Sequence, residues 1–390
     1  MLQLSDTQKA IVETVRDFVE KDVIPVADEM EHHDEFPDAI VDQMKELGLF
    51  GLTVPEEYGG IGESLTTYAL TVVELARGWM SLSGVLNTHF MGCYLINKFG
   101  TDSQRERYLP KMAMGEWRAA LAMSEPEAGS DVQGIKTKAV KDGDDYVVNG
   151  SKMWLTNGLR SSLVMTLVKT DPEADPPHKG MSMLIVEKEG GNPKPGPGLD
   201  VGKNIEKMGY KGVETTEMTF NDYRMPRANL LGTDEGQGFR QVLDGIEIGR
   251  VNVAARAVGL STRAFEEAIR YAQERKAFGK QIGQHQAVQI HLAEMGTQLE
   301  AARLMLFNAA EKKAAGERSD LEAAMAKLFA SEACHEIVTK SLRVHGGYGY
   351  SKEFTIERLY RDAPFLLIGE GTSEIQKTVI ARRLLERHKI

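Results

Sequence analysis

A single carboxylate, Glu370, stands between two glycines in "FLLIGEGTSEIQKTV", residues 365–379. Glutamates do acid–base chemistry, but an exposed one titrates near about 4.3 and is a feeble base toward carbon-bound protons. The preceding run, Phe365 to Ile368, is apolar. Burial against such groups disfavours the charged form and raises a carboxylate's pKa. The bare flanks, Gly369 and Gly371, would leave room for a substrate beside the carboxylate. A plainer reading is also open. Ser373-x-x-Gln376 is a capping-box pattern, and Ile375, Val379, Ile380 and Leu384 follow at helical spacing, so the stretch also reads as a capped helix start.

Four other segments carry chemistry-capable residues, each with a bland alternative. "LAMSEPEAGSD", residues 121–131, reads as a loop. It is either a domain linker or a place where Ser124, Ser130 and exposed backbone N–H groups grip a polar ligand. In "SKMWLTNG", residues 151–158, Trp154 and Thr156 alternate on a strand and share a face. They are core residues or the flank of a flat heterocycle. "ERKAFGKQIGQHQ", residues 274–286, offers Arg275 either to solvent or to a phosphate, which suits its bidentate fork. "RVHGGYGY", residues 343–350, ends a helix or lets backbone approach a ligand.

Composition narrows the field. A chain of 390 residues exceeds one comfortable core, so two or three domains are expected. The net charge of −10 argues against nucleic acid as a partner, though not against a local basic pocket for an anion. Two distant cysteines, Cys93 and Cys334, suit a reducing compartment and exclude a zinc spacing, so no metal is expected. The first residues lack a signal-peptide pattern, and no apolar run is long enough to span a membrane. A cytoplasmic protein is expected. Dinucleotide-binding, P-loop, nucleophile-elbow and H-E-x-x-H patterns are all missing, and His32 and His33 read as surface residues.

The elements that must position these residues fall into three zones. Residues 1–120 read as helices, opening with the cap candidate Ser5 and an apolar stripe of Ile11, Val15, Phe18, Val19 and Val23. Residues 121–232 carry strand-like runs, with Asp142-Gly143 and Asn149-Gly150 as turn signals. Residues 233–390 return to long amphipathic helices of a length that packs as a bundle. The fold class is α+β, with a small antiparallel β domain in the middle.

Together the five segments resemble signatures of the acyl-CoA dehydrogenase family: "SEPEAGSD", "MWLTNG", "ERKAFGK", "HGGYGY" and "GEGTSEIQ". The resemblance runs in order along essentially the whole chain. It implies an N-terminal helical domain, a middle antiparallel β-barrel and a C-terminal four-helix bundle. It also implies non-covalent FAD and a homo-oligomer, usually a tetramer. Ser124 falls at a hydroxyl that bonds the flavin pyrimidine edge, Trp154 at the aromatic against the ring system, and Thr156 at the hydroxyl near flavin N5. Arg275, Phe278, His285 and Gln286 match residues that reach the neighbouring subunit's FAD. Arg343, Val344, His345, Gly346 and Gly347 match the segment along its adenine and pyrophosphate half. Thr372 and Glu374 match further FAD contacts. Ser130, Glu247, Arg250, Gly369, Gly371 and Arg382 fall at acyl-CoA contacts. Two departures stand out: Ala277 lies where many members carry a polar side chain, and Glu374 where some carry Gln.

The implied reaction is α,β-dehydrogenation of an acyl-CoA thioester to the trans-2-enoyl-CoA. Glu370 is the implied base, hydride goes to flavin N5, and an electron-transferring flavoprotein is the partner that takes the electrons. Some relatives place the base on another helix. The matching position here is Gly249, which has no carboxylate. Gly369 stands where straight-chain members often carry Tyr, so a branched or bulky acyl group is expected. Met80 stands where glutaryl-type members carry Arg, so a monocarboxylic one is expected. The nearest rival, an acyl-CoA oxidase, shares the half-reaction but hands electrons to O₂.

Overall fold

The protein is described here by a computed structural model covering residues 4–389. Its first helix, α1 (Asp6–Phe18), starts at Ser5 as expected. The Ser5 hydroxyl accepts the Gln8 N–H, and the Gln8 side chain accepts the Ser5 N–H. A π-helical stretch, Val19–Val23, leads into α2 (Ile24–His32). Val15, Phe18, Val19 and Val23 are buried, and Ile11 packs at the edge. Then come α3 (Asp38–Glu46), α4 (Leu65–Gly78), α5 (Met80–Phe99) and α6 (Asp102–Ala113). Helix α5 is buried on every side from Met80 to Cys93, because it is sandwiched rather than amphipathic.

The middle zone forms one seven-stranded sheet. Its strands are β1 (Ala119–Ala122), β2 (Lys138–Asp142), β3 (Asp145–Thr156), β4 (Leu163–Lys169), β5 (Met181–Glu187), β6 (Leu199–Val201) and β7 (Thr215–Pro226). All seven contribute to one buried cluster, including Ala122, Val148, Val164, Leu184, Leu199 and Phe220. Pairing is mostly antiparallel, but β1 runs parallel to β4. The chain reaches β4 only after the β2–β3 hairpin, and so long a connection permits parallel pairing.

One of the two expected turns is present and one is not. Asp142-Gly143 closes the β2–β3 hairpin, with Gly143 at φ 62. Asn149-Gly150 lies inside β3, where the pairing with β7 slips between Val148 and Gly150. This is a bulge. A Cβ at Gly150 would fall 2.4 Å from the Thr137 hydroxyl, so close backbone approach, not a turn, calls for the glycine. The Asn149 amide is engaged by Asp222 across the strands.

The last zone holds α7 (Gly238–Glu274), α8 (Gln286–Ala314), α9 (Asp320–His345), α10 (Ile356–Ile368) and α11 (Ser373–Arg387). A small hairpin, β8 (Lys276–Ala277) and β9 (Lys280–Gln281), joins α7 to α8. Helices α4 and α5 pack on α7, so the two helical zones share one continuous core. His32 is not a free surface residue: its Nε2 lies 2.5 Å from the Glu357 carboxylate of α10. Among the described residues no helix is long and apolar enough to cross a membrane.

Candidate active site

Helix α10 ends at Ile368 and α11 begins at Ser373, and Glu370 occupies the break. Its own backbone is left-handed at φ 54, followed by Gly371 at φ 93. A non-glycine residue there carries strain of about 1–3 kcal/mol, which the surrounding structure must hold. Several bonds hold it. The Gly369 N–H donates to the Phe365 carbonyl at 2.8 Å. The buried Gln376 amide donates to the Gly371 carbonyl at 3.1 Å. Thr372, not Ser373, is the cap of α11, its hydroxyl accepting the Ile375 N–H. The expected capping box does not form: the cap is one residue earlier, and Gln376 turns back to carbonyls instead of capping.

The carboxylate is enclosed. Oε1 accepts from Asn87 Nδ2 of α5 at 2.5 Å, while Oε2 is out of contact with solvent and has no partner. A Cβ on Gly249 of α7 would lie 2.1 Å from Oε2. Gly249 thus fits because the carboxylate of Glu370 occupies that space. Burial raises the Glu370 pKa above the ordinary range, opposed by Arg256, the Asn87 bond and Lys327. Burial also pushes the Lys327 ammonium of α9 down to about 8.

The flanking glycines have a different reason from the one expected. A Cβ on Gly369 would meet the Phe365 ring at 2.8 Å, and one on Gly371 would meet the Gln376 amide at 2.5 Å. The place of a side chain at 369 is filled by Phe365, so its absence does not by itself enlarge an acyl pocket.

The end of β3 docks against this centre. Asn157 donates to the Gly84 and Val85 carbonyls and to the Thr88 hydroxyl, the turn of α5 that carries Asn87. Thr156 lies beside the Tyr210 hydroxyl, and the Tyr210 ring stacks on Phe365 at 4.5 Å. Trp154 is 57% exposed, at φ 66, inside a second β3 irregularity between Lys152 and Leu155. Simple alternation therefore fails locally, although Trp154 and Thr156 still flank the buried Leu155. Ser124 lies alongside, its carbonyl accepting the Met153 N–H at 3.0 Å.

A second group gathers elsewhere. Arg275, Val344, His345, Gly346 and Gly347 line a cavity of about 560 Å³ with Tyr271 and Tyr348. Gly346 is at φ 61 with open space where a Cβ would be. The Arg275 guanidinium lies 5.7 Å from the Tyr348 ring centre. A cation, bare backbone and aromatic faces fit a nucleotide's phosphates and base. Phe278 is 96% exposed at φ 52, its ring near-perpendicular to that of His285 at 5.8 Å, and Gln286 opens α8. Arg343 is on the last turn of α9. None of these side chains contacts Glu370.

A third group lies on α7 and α11. Glu247 accepts from Ser319 at 2.9 Å and Lys313 at 3.0 Å. Arg250 is buried with its Nε unpartnered, close to Glu247, Asp320 and Arg382. Glu374 is exposed in the first turn of α11. Ser130 is exposed in its loop.

Asn87, Tyr210, Arg256 and Lys327 were not singled out from the sequence. Two had a legible signal: Arg256 interrupts the apolar, small-residue run "NVAARAVG", and Lys327 interrupts "AAMAKLFA".

Three family models match the chain in succession. The acyl-CoA dehydrogenase N-terminal domain matches residues 5–116, the middle domain 120–223 and the C-terminal domain 236–385. The acyl-CoA dehydrogenase of Bacillus subtilis (strain 168) is 38% identical over 385 residues, covering 98% of this chain and 99% of that protein. The butyryl-CoA dehydrogenase structure from Megasphaera elsdenii superposes with a TM-score of 0.94 at 34% identity, over 99% of this chain and 100% of that one. A structure described as the electron transferring flavoprotein of Acidaminococcus fermentans also matches, with a TM-score of 0.94, 36% identity and 99% of both chains. The chain belongs to the acyl-CoA dehydrogenase family.

Proposed function

We propose that this protein is an FAD-dependent acyl-CoA dehydrogenase with Glu370 as its base. The observation that carries the reading is the Glu370 carboxylate, enclosed, raised in pKa and held at one oxygen only. FAD, when bound, supplies the hydride acceptor. Trp154, Thr156 and Ser124 are the residues that would hold its flavin end. Thr372 and Glu374 lie next to the base. Arg275, Phe278, His285, Gln286 and the segment from Arg343 to Gly347 would serve a neighbouring subunit's cofactor. Their separation from Glu370 supports that sharing and hence a homo-oligomer, which we take to be a tetramer.

The chemistry of the chain's own groups follows. The α-proton of the thioester goes to the Glu370 carboxylate, whose orientation the Asn87 bond fixes. The Glu370 N–H has no acceptor among the described residues and is free to donate to the thioester carbonyl. A donor aimed at developing oxyanion charge is commonly worth about 3 kcal/mol. Ser130, Glu247, Arg250, Gly369, Gly371 and Arg382 are proposed as acyl-CoA contacts, with Arg250 as the buried cation suited to an anionic ligand. We take an electron-transferring flavoprotein as the electron acceptor, in keeping with the Acidaminococcus match.

For the acyl group we retain a branched or bulky monocarboxylic chain. The support is the family resemblance: Gly369 stands where straight-chain members often carry Tyr, and Met80 where glutaryl-type members carry Arg. Anaerobic titration with a panel of acyl-CoA thioesters, following flavin bleaching, tests both parts. Bleaching by isobutyryl-, 2-methylbutyryl- or isovaleryl-CoA ahead of octanoyl-CoA is expected. Preference for octanoyl-CoA would remove the branched reading, and no bleaching by any thioester would remove the dehydrogenase reading.

A further inference from the structure

Glu370 is hydrogen-bonded by Asn87 of α5, while the charges of Arg256 of α7 and Lys327 of α9 act on its carboxylate from farther off. Two of these are built in a way that packing alone does not require.

Asn87 is 2% exposed, and its only bond is the one to Glu370 Oε1, with its own carbonyl oxygen left unpartnered. Its turn of α5 is pinned from outside by Asn157. The NH₂ is thereby fixed in place rather than free to follow the carboxylate. Hydrogen bonds to an ionised acceptor are the stronger kind.

Arg256 lies seven residues after Gly249 on α7, two turns along and on the same face. It is 1% exposed. Its guanidinium donates to the Tyr210 hydroxyl at 3.2 Å and the Ser83 carbonyl at 3.4 Å, and its Nε has no partner. Among the described residues no carboxylate lies within ion-pair distance of it. A buried cation without a direct counter-ion costs stability. The carboxylate on which its charge acts is that of Glu370.

We propose that Asn87 and Arg256 are positioning residues for the base: Asn87 holds Oε1 and so fixes the orientation of the carboxylate, with Oε2 packed toward Gly249, and Arg256 is the counter-charge of the carboxylate. Neither touches the reacting atoms. The inference rests on Glu370 being the base. It adds one helix from each helical zone, α5 and α7, to the machinery, so the base is held from both sides of the shared core.

The test is the pH dependence of anaerobic flavin reduction by a thioester substrate, measured on the FAD-loaded protein. Asn87→Leu is expected to lower the plateau rate about tenfold and move the acid limb upward. Arg256→Gln is expected to move the acid limb upward by about one pH unit, a tenfold loss below the limb, with KM unchanged. Arg256→Lys, which keeps the charge, restores the limb. Asn87→Asp keeps the size, places a second carboxylate against the first and moves the limb upward, which covers the case in which the leucine variant does not fold. Wild-type limb and plateau in FAD-loaded Asn87→Asp and Arg256→Gln, while Glu370→Gln is dead, would overturn the positioning roles alone. Flavin reduction by Glu370→Gln at the wild-type rate would overturn the base itself.

Discussion

Glu125 is a buried glutamate and Glu370 a partly buried one whose Oε2 is sealed from solvent; both lie in segments that the sequence marks as signatures, yet their surroundings drive them in opposite directions. Glu125 follows β1. Its Oε1 accepts from Lys152 Nζ at 2.8 Å and from the Thr137 N–H at 2.9 Å, and its Oε2 accepts the Lys136 N–H at 2.6 Å. Burial pushes its pKa up, but Lys152 and these donors more than offset that, so the carboxyl is held below the usual range. Glu370 has one neutral amide, more distant cations and an oxygen with no partner, and its pKa is raised. Burial therefore does not make a base. A buried carboxylate becomes one when its donors are too few to stabilise the charge.

The contrast can be broken at several points. The largest effect on stability is expected at Glu125. Glu125→Leu leaves the fully buried Lys152 without its partner and should cost about 3–5 kcal/mol, read as a large fall in melting temperature. Flavin reduction per folded molecule should change little. Gly249→Ala places a Cβ where Oε2 now sits, so the base must shift by an ångström or more. We expect about a hundredfold loss of flavin reduction rate with little change in melting temperature. Thr372→Ala removes the cap of α11 and should cost about 1 kcal/mol by thermal unfolding, with a smaller loss of rate.

The two glutamates should also differ in the sign of their pH linkage. Glu125 has a depressed folded pKa, so its contribution is present above the unfolded value near about 4.3 and is lost as pH falls through the folded value. Glu370 has a raised folded pKa, so its contribution is present below that unfolded value and is lost as pH rises through the folded one. Glu370→Gln should therefore melt slightly higher than the wild type near neutral pH, the difference closing toward about pH 4. A lower melting temperature for Glu370→Gln at pH 7 would show the carboxylate to be well solvated or paired.

Much of this was legible in the chain. The succession of helical, strand-rich and helical segments follows from switches in hydrophobic period. The apolar run before Glu370 does not by itself make its enclosure: Ile368 is 67% exposed, and the groups around the carboxylate come from α5, α7 and α9. Some of what was not legible depends on contacts across the sequence. Asn87 looks like any polar residue in "GVLNTHF" until Asn157 fixes its turn and Glu370 reaches it. Other misses were local. The Asn149-Gly150 pair carries a turn signal, but it lies in a β3 bulge where a Cβ at Gly150 would fall 2.4 Å from the Thr137 hydroxyl. Gly369 was legible as glycine but not as the seat of the Phe365 ring, because the ring's direction depends on its stack with Tyr210.

The most direct test of Glu370 as the base is anaerobic mixing of the FAD-loaded Glu370→Gln variant with a thioester that bleaches the wild type. The account predicts a normal oxidised flavin spectrum that stays unbleached, with the rate down by about 10³-fold or more. Bleaching at the wild-type rate would contradict it.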